Sequence, residues 1–431
     1  MRGLESHGVA GDISVSPEHR RLDDIEVLRA VAIIFTIAIH ILYLLPEWAG
    51  AEIYRFLEFR VGVDLFFVIS GFVIARSALP QLTMERGSGR FWRNAIAFWL
   101  RRAWRIWPSA WLWLAIIMAC TLFLNKSGVF GGAEALRATV REAVASILQV
   151  MNFTLMDAQI LHRGTVVTSR GATFPYWSLS LEEQFYLVLP LVVLLSRKHL
   201  PLVLVAAVAA MFAIPKGQGT PWFFLRFDPI MLGVLLAIWT QHPTHALLEP
   251  RFLARGAFRK VAFTVGVAVL AAAAMGLDIV SFAHGLTSLL CALLVFTASF
   301  GKDYLFPPGR MRVVLLWIGS RSYAIYLCHA IIFQLTRELW FRYAPPETRL
   351  AGDDYTLRYA LTAAVLVCIA SELNYRFVEQ PMRARGRRLA DAMKSPGVHP
   401  AAPVGPSTSG SFEAIPTRAT RDAAAASGRA Q

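Results

Sequence analysis

Charge is scarce in this chain. Only 17% of its 431 residues are Asp, Glu, Lys or Arg, against 56% hydrophobic, and mean hydropathy is +0.49. A soluble domain of ordinary composition carries about 25% charged residues, so a soluble enzyme is excluded. Cysteine is scarcer still: Cys120, Cys291, Cys328 and Cys368 are far apart and all sit in apolar runs. They form no metal motif and report no oxidising compartment, and no metal is expected. Acidic residues number 29 against 43 Lys and Arg, a formal net charge of +14. In a soluble domain that excess would suggest nucleic acid. Here the basic residues fall mainly in short loops between apolar runs, so cytoplasmic orientation at a bilayer explains them and no nucleic-acid partner is expected. The polar N-terminus, up to about Asp24, lacks an apolar signal core, and the first helix can act as its own insertion signal.

What is abundant is apolar runs near the length that spans about 30 Å of hydrocarbon. The expected fold is all-α, a multi-pass membrane protein of about ten transmembrane helices. They lie at roughly Ile25–Leu45, Gly62–Leu79, Trp104–Leu124, Leu179–Leu194, Leu200–Ile214, Trp222–Trp239, Val261–Met275, Phe282–Phe300, Val313–Leu335 and Leu357–Phe377. Several fall short of about 20 residues and need tilt or local thinning. Lys and Arg concentrate in alternate loops, which puts both termini in the cytoplasm. Val140–Leu155 is apolar along a stripe but opens with Arg141 and Glu142, so we read it as an interfacial or re-entrant helix. It lies in a long external loop over residues 125–176. Residues 1–22 read as a polar cytoplasmic N-terminus, 23–385 as the membrane domain, and 386–431 as a cytoplasmic tail whose Pro, Gly, Ser and Ala imply disorder.

The polar residues inside these runs carry the functional signal, because ionisable groups in hydrocarbon are costly unless they face protein or water. Arg29 and His40 lie eleven positions apart in the first run. At about 100° and 1.5 Å per residue they share one helix face, about 16 Å apart. The assigned topology puts His40 in the outer half. Asp64 falls at the outer start of helix two, Glu182 and Glu183 at that of helix four, Arg226 and Asp228 at that of helix six, and His329 about sixteen residues up helix nine. Arg29, Arg102 and Arg105 sit toward the inner face. Guanidinium pairs bidentately with phosphate, so the inner group suits a phosphate-rich donor entering from the cytoplasm. An imidazole with carboxylates in reach suits general-base removal of a hydroxyl proton outside, worth about 10²–10⁴ in rate. Plainer roles stand beside these. Arg29 can snorkel, Arg102 and Arg105 can anchor a positive-inside loop, Asp64 can cap helix two, and one of Glu182 and Glu183 can serve a helix dipole. The Ser70-Gly71 pair reads as a close helix contact.

At these residues the chain resembles the acyltransferase-3 family of integral membrane acyltransferases, which includes bacterial O-antigen and exopolysaccharide O-acetylases. The matching stretches, in family order, are the R-x10-H of Arg29 and His40, VDLFFVISGF from Val63 to Phe72 and the R-x-x-R of Arg102 and Arg105. WSLSLEEQFY (Trp177–Tyr186), RFDPIMLG (Arg226–Gly233) and SYAIYLCH (Ser322–His329) complete the set. The resemblance implies acyl transfer from cytoplasmic acyl-CoA, with acetyl-CoA the expected donor, to a hydroxyl of a glycan or glycolipid outside the bacterial inner membrane. By it His40 is the base, Asp64 and Glu182 support the centre, and Arg29, Arg102 and Arg105 handle the donor. Tyr186, Tyr323 and Arg226 are open as oxyanion donors, with Glu183, Asp228 and His329 as supporting groups. Polysaccharide-assembly proteins are the expected partners. The family's closing E-K-P-x-R-like segment appears as Glu379-Gln380-Pro381-Met382-Arg383, which departs at position 380. The alternative function is a transporter or flippase of a lipid-linked or small anionic substrate that uses the same buried charges as its path.

Overall fold

A backbone in hydrocarbon must satisfy its own N–H and C=O groups, and helices do so within one segment. In the computed structural model, residues 22–45, 57–124, 126–131, 133–161, 171–217, 220–273, 282–343 and 356–394 are described. They form fifteen α-helices and no strand. The helices are α1 (Asp23–Leu44), α2 (Val61–Met84), α3 (Arg90–Phe123), α4 (Ala133–Ile147), α5 (Met151–Leu161), α6 (Tyr176–Ser196), α7 (Leu200–Phe212) and α8 (Asp228–Trp239). After them come α9 (Pro243–Leu247), α10 (Gly256–Ala273), α11 (Ala283–Ser299), α12 (Arg310–Ser320), α13 (Ser322–Tyr343), α14 (Thr356–Asn374) and α15 (Gln380–Lys394).

Over their described residues all ten expected runs fall on a helix or a helix pair; the end of the seventh, residues 274 and 275, lies outside the described residues. Among the described residues, six helical stretches qualify as spans by length and apolarity alone, or seven if the bent pair α12–α13 counts as one. The difference has visible causes. Tyr176–Phe212 is one qualifying stretch that holds two of the expected runs, and α11 is too short at 17 residues. Both chain termini lie outside the described residues.

Glycines set the packing at the centre. A Cβ on Gly71 of α2 would sit 2.0 Å from the Ile230 carbonyl oxygen of α8, and one on Gly233 of α8 would sit 2.1 Å from the Val68 oxygen. The two backbones therefore touch reciprocally, in the manner of small-residue membrane contacts. The start of α1 is held by charge: Asp23 accepts from Arg312 at 3.1 Å, and Asp24 accepts the Leu305 N–H at 3.3 Å.

Four expectations need correction. The ninth run is not one helix, because α12 and α13 meet at 74°. Gly319 at the end of α12 lies against the Glu26 carbonyl of α1, where a Cβ would be 1.9 Å from oxygen. Arg321 then turns its guanidinium onto Glu372 at 2.8 Å and over the Tyr375 ring at 4.4 Å. The third helix begins at Arg90 rather than Trp104, so Arg102 and Arg105 lie within a 34-residue helix and not at its mouth. Val140–Leu155 is two helices, α4 and α5, broken where Gln149 adopts φ +58°. Val140, Val144, Ile147 and Leu148 are exposed, as an interfacial stripe requires, while Glu142 is buried and accepts from Thr173. Finally, α14 passes through a π-helical turn at Tyr375–Glu379 into α15, so helix continues nine residues past the expected end of the membrane domain at 385.

Candidate active site

Two cavities lie along α1, one lined by Arg29 and the other by His40. The first encloses about 770 Å³ of space, part of it open to solvent, and its lining includes Arg29, Ser70, Arg102, Arg105, Glu182 and Tyr186. Arg29 comes from α1, Ser70 from the middle of α2, the R-x-x-R pair from α3, and Glu182 and Tyr186 from successive turns of α6. Arg29 donates to Glu26 at 3.0 Å, one turn earlier on its own helix. Arg102 lies over the Tyr186 ring, 5.8 Å from its centroid. Among the described residues, neither Arg102 nor Arg105 has a carboxylate within ion-pair distance. Glu182 lies nearby but is held otherwise: it accepts from Tyr186 Oη, and from Ser70 Oγ at 3.2 Å. Two half-buried guanidinium groups that face a cavity whose carboxylate, Glu182, is held by Ser70 and Tyr186 suit an anion, and their fork geometry fits phosphate.

The structure moves Glu182 and Glu183 relative to expectation. Helix α6 starts at Tyr176, so Glu182 is six residues inside it, about 9 Å from its start. It meets the arginines and not His40. Glu183 accepts from Trp107 Nε1 at 3.0 Å. Tyr323 also lines this cavity, but its hydroxyl donates to the Ile106 carbonyl at 2.7 Å. The closing segment joins here as well. Glu379 and Arg383 pair at 3.2 Å across one helical turn, and both feel the charges of Arg29 and Arg105. Spacing alone did not expose this, although the Glu379-to-Arg383 interval was the available signal.

The second cavity holds about 730 Å³ of space, part of it open to solvent, near the C-terminal end of α1. Its lining includes His40, Tyr43, Phe174, Gln334 and Arg337. His40 Nδ1 lies 3.0 Å from His329 Nε2. The other nitrogen of His329, Nδ1, lies 2.8 Å from the Tyr326 carbonyl oxygen and 3.2 Å from that of Ile325. A carbonyl only accepts, so His329 Nδ1 carries the proton. In neutral His329, Nε2 is then the acceptor, His40 Nδ1–H donates to it, and His40 Nε2 bears the lone pair. This tautomer is assigned from the bonding pattern. It is the tautomer that a general base needs: Nδ1 is fixed by a neighbour and the lone pair sits on Nε2.

Between the cavities stands Tyr326, whose ring lies 5.8 Å from that of His329. Its hydroxyl bonds Ser178 Oγ at 2.6 Å and donates to the Pro175 carbonyl at 2.9 Å. Tyr326 and Ser178 line the first cavity and Pro175 the second. Tyr326 was missed in the sequence, yet it lies three positions before His329, on the same face of α13.

Asp64, Arg226 and Asp228 line neither cavity. Asp64 accepts from Arg226 at 3.1 Å, and Lys216 pairs with Asp228 at 2.8 Å, all four buried. Arg226 also donates to His284 Nδ1 at 3.3 Å and lies over the Phe223 ring at 4.4 Å. Two cations facing two carboxylates compensate each other in low dielectric, which is how such a cluster survives burial. The partner of His40 is thus a second imidazole, while Asp64 belongs to the joint between α2 and α8. Among the described residues no group of three His, Cys, Asp or Glu could hold a metal ion.

Comparison with known proteins gives this arrangement a family. A family model described as "Acyltransferase domain" matches residues 22–371. The chain is 27% identical over 386 residues to the peptidoglycan O-acetyltransferase OatA of Listeria monocytogenes, covering 84% of this chain and 56% of that one. It is 25% identical over 393 residues to the putative peptidoglycan O-acetyltransferase YrhL of Bacillus subtilis, covering 86% and 56%. To the O-acetyltransferase OatA of Staphylococcus aureus it is 26% identical over 403 residues, covering 85% and 58%. The chain thus spans little more than half the length of these curated relatives. No solved structure matches it. The match over most of its length means that this chain belongs to the acyltransferase-3 family.

Proposed function

We propose that this protein is an O-acyltransferase of the bacterial inner membrane, with ten spans and cytoplasmic termini. It moves an acyl group, acetyl in this reading, from acyl-CoA in the cytoplasm to a hydroxyl of a glycan or glycolipid on the far side. The observation that carries this reading is the pair of cavities on α1. One offers guanidinium groups without carboxylate partners, the other an imidazole held in the tautomer of a base. In this scheme Arg102 and Arg105 hold the donor's phosphates, with Arg29 beside them. His40 Nε2 takes the acceptor's hydroxyl proton as its oxygen attacks the thioester carbonyl. The carbon–sulfur bond breaks, the acyl group ends on the acceptor oxygen, and the thiolate recovers a proton. The acyl group meets the acceptor at Tyr326, where the two cavities adjoin. Peptidoglycan is the acceptor class that the relatives' names suggest, and a partner protein of glycan assembly is part of the same reading.

The test is thioester consumption. Purified protein in lipid, given acetyl-CoA and a glycan acceptor, should release free thiol and acetylated glycan in equal amounts. His40→Ala should lose this while inserting into the membrane normally. Full activity in that variant removes His40 as the base. Acceptor movement across vesicles without thiol release makes the protein a transporter instead.

A further inference from the structure

The second cavity contains a cation that the scheme above does not use. Arg337 lies two turns beyond His329 on α13, half-buried, and lines the same cavity as His40. Its Nη1 donates to the Tyr43 carbonyl at 3.3 Å, near the C-terminal end of α1. Among the described residues no carboxylate lies within ion-pair distance of it. Its sequence neighbour does not supply one. Glu338 is buried and committed to the Lys126 N–H at 2.8 Å, the Ser127 N–H at 2.9 Å and Arg342 at 2.6 Å. That carboxylate anchors residues 126–131, from which Val129 also lines the cavity. A half-buried cation that has no counter-ion among the described residues and lines a cavity suits an arriving anion. The rest of the cavity suits a sugar. His40 lies between two aromatic rings, Tyr43 stacked at 5.5 Å and Phe174 edge-on at 6.4 Å, and Gln334 adds hydrogen-bonding groups.

We propose that Arg337 selects the acceptor: the cavity takes a glycan that carries an acidic group, carboxylate or phosphate, near the hydroxyl presented to His40. This rests on the acyltransferase reading and names the substrate class for its acceptor side. The guanidinium is a positioning group, because it pairs with the acid and so fixes which hydroxyl reaches the base.

The experiment compares three versions of one oligosaccharide: a uronate form, its methyl ester, and a form with a phosphate monoester at the same position. Wild-type protein should acylate the uronate or the phosphate form with a kcat/KM at least tenfold above the methyl ester. Which of the two leads tells carboxylate from phosphate. In Arg337→Gln, which keeps a donor for the Tyr43 carbonyl, the preference should fall about 10–100-fold, the scale of a charge-assisted hydrogen bond, mostly in KM. Arg337→Lys should retain part of it. Equal use of ester and acid by the wild type, or equal loss on both in Arg337→Gln, overturns this proposal and leaves the acyltransferase reading standing. Thiol release with none of the three would overturn both.

Discussion

His329 is the sharpest handle on the proposed base. Its Nδ1–H is fixed by the Tyr326 and Ile325 carbonyls, so its Nε2 can only accept, and it accepts from His40 at 3.0 Å. Replacing it with Ala removes that hydrogen bond, worth about 0.5–1.5 kcal/mol, and leaves a buried donor unsatisfied at about 1–3 kcal/mol. The imidazole of His40 then turns or changes tautomer in most molecules. About 2 kcal/mol of that loss, if it falls on the competent orientation, lowers kcat about 30-fold. His329→Gln places an amide oxygen near the lost acceptor and should recover several-fold of this. The assay is acceptor-dependent thiol release at saturating donor and acceptor, with thermal melting to confirm that both variants fold. A kcat for His329→Ala within twofold of wild type would refute the reasoning, since His40 would then need no orienting partner.

Three further outcomes follow from the same geometry. Arg102→Ala and Arg105→Ala should each raise the KM for acyl-CoA about tenfold or more while changing the acceptor KM little, as measured by initial rates against each substrate. Asp64→Asn leaves the buried Arg226 without its charge partner and should cost about 3–5 kcal/mol of stability, read as a lower melting temperature in detergent; a normally stable protein with lost turnover would instead place Asp64 in the chemistry. Gly71→Val pushes a side chain into the Ile230 carbonyl and should cost more than about 1–3 kcal/mol, again by melting, whereas a conservative change on the exposed face of α7, Leu202→Ile, should cost far less.

Which polar groups lie within the helices was legible in the sequence, but which of them meet was not. Helical periodicity placed Arg29 and His40 on one face of α1, and the structure gives each its own cavity. Periodicity fixes direction only within a helix, however. Whether His40 met Asp64 or His329 depended on how α1, α2 and α13 are rotated about one another. That rotation is set by long-range contacts such as Gly71 on Ile230 and Gly319 on Glu26, which no local pattern encodes. For the same reason Glu182 was assigned to the imidazole and is found among the arginines. The break at Arg321 falls in the stretch Gly319-Ser320-Arg321-Ser322 within the expected run Val313–Leu335, and the partner that holds Arg321 there, Glu372, lies 51 positions away. Arg337 lies just past Leu335, the expected end of the ninth run, and α13 continues through it to the cavity of His40.

The most direct measurement concerns the two sides of the membrane. In uniformly oriented vesicles, labelled acyl-CoA would be supplied to the face nearer Arg102 and Arg105, and the glycan acceptor to either face. The account predicts that label reaches the acceptor only when donor and acceptor are on opposite faces. Transfer only when both are on the same face would contradict it.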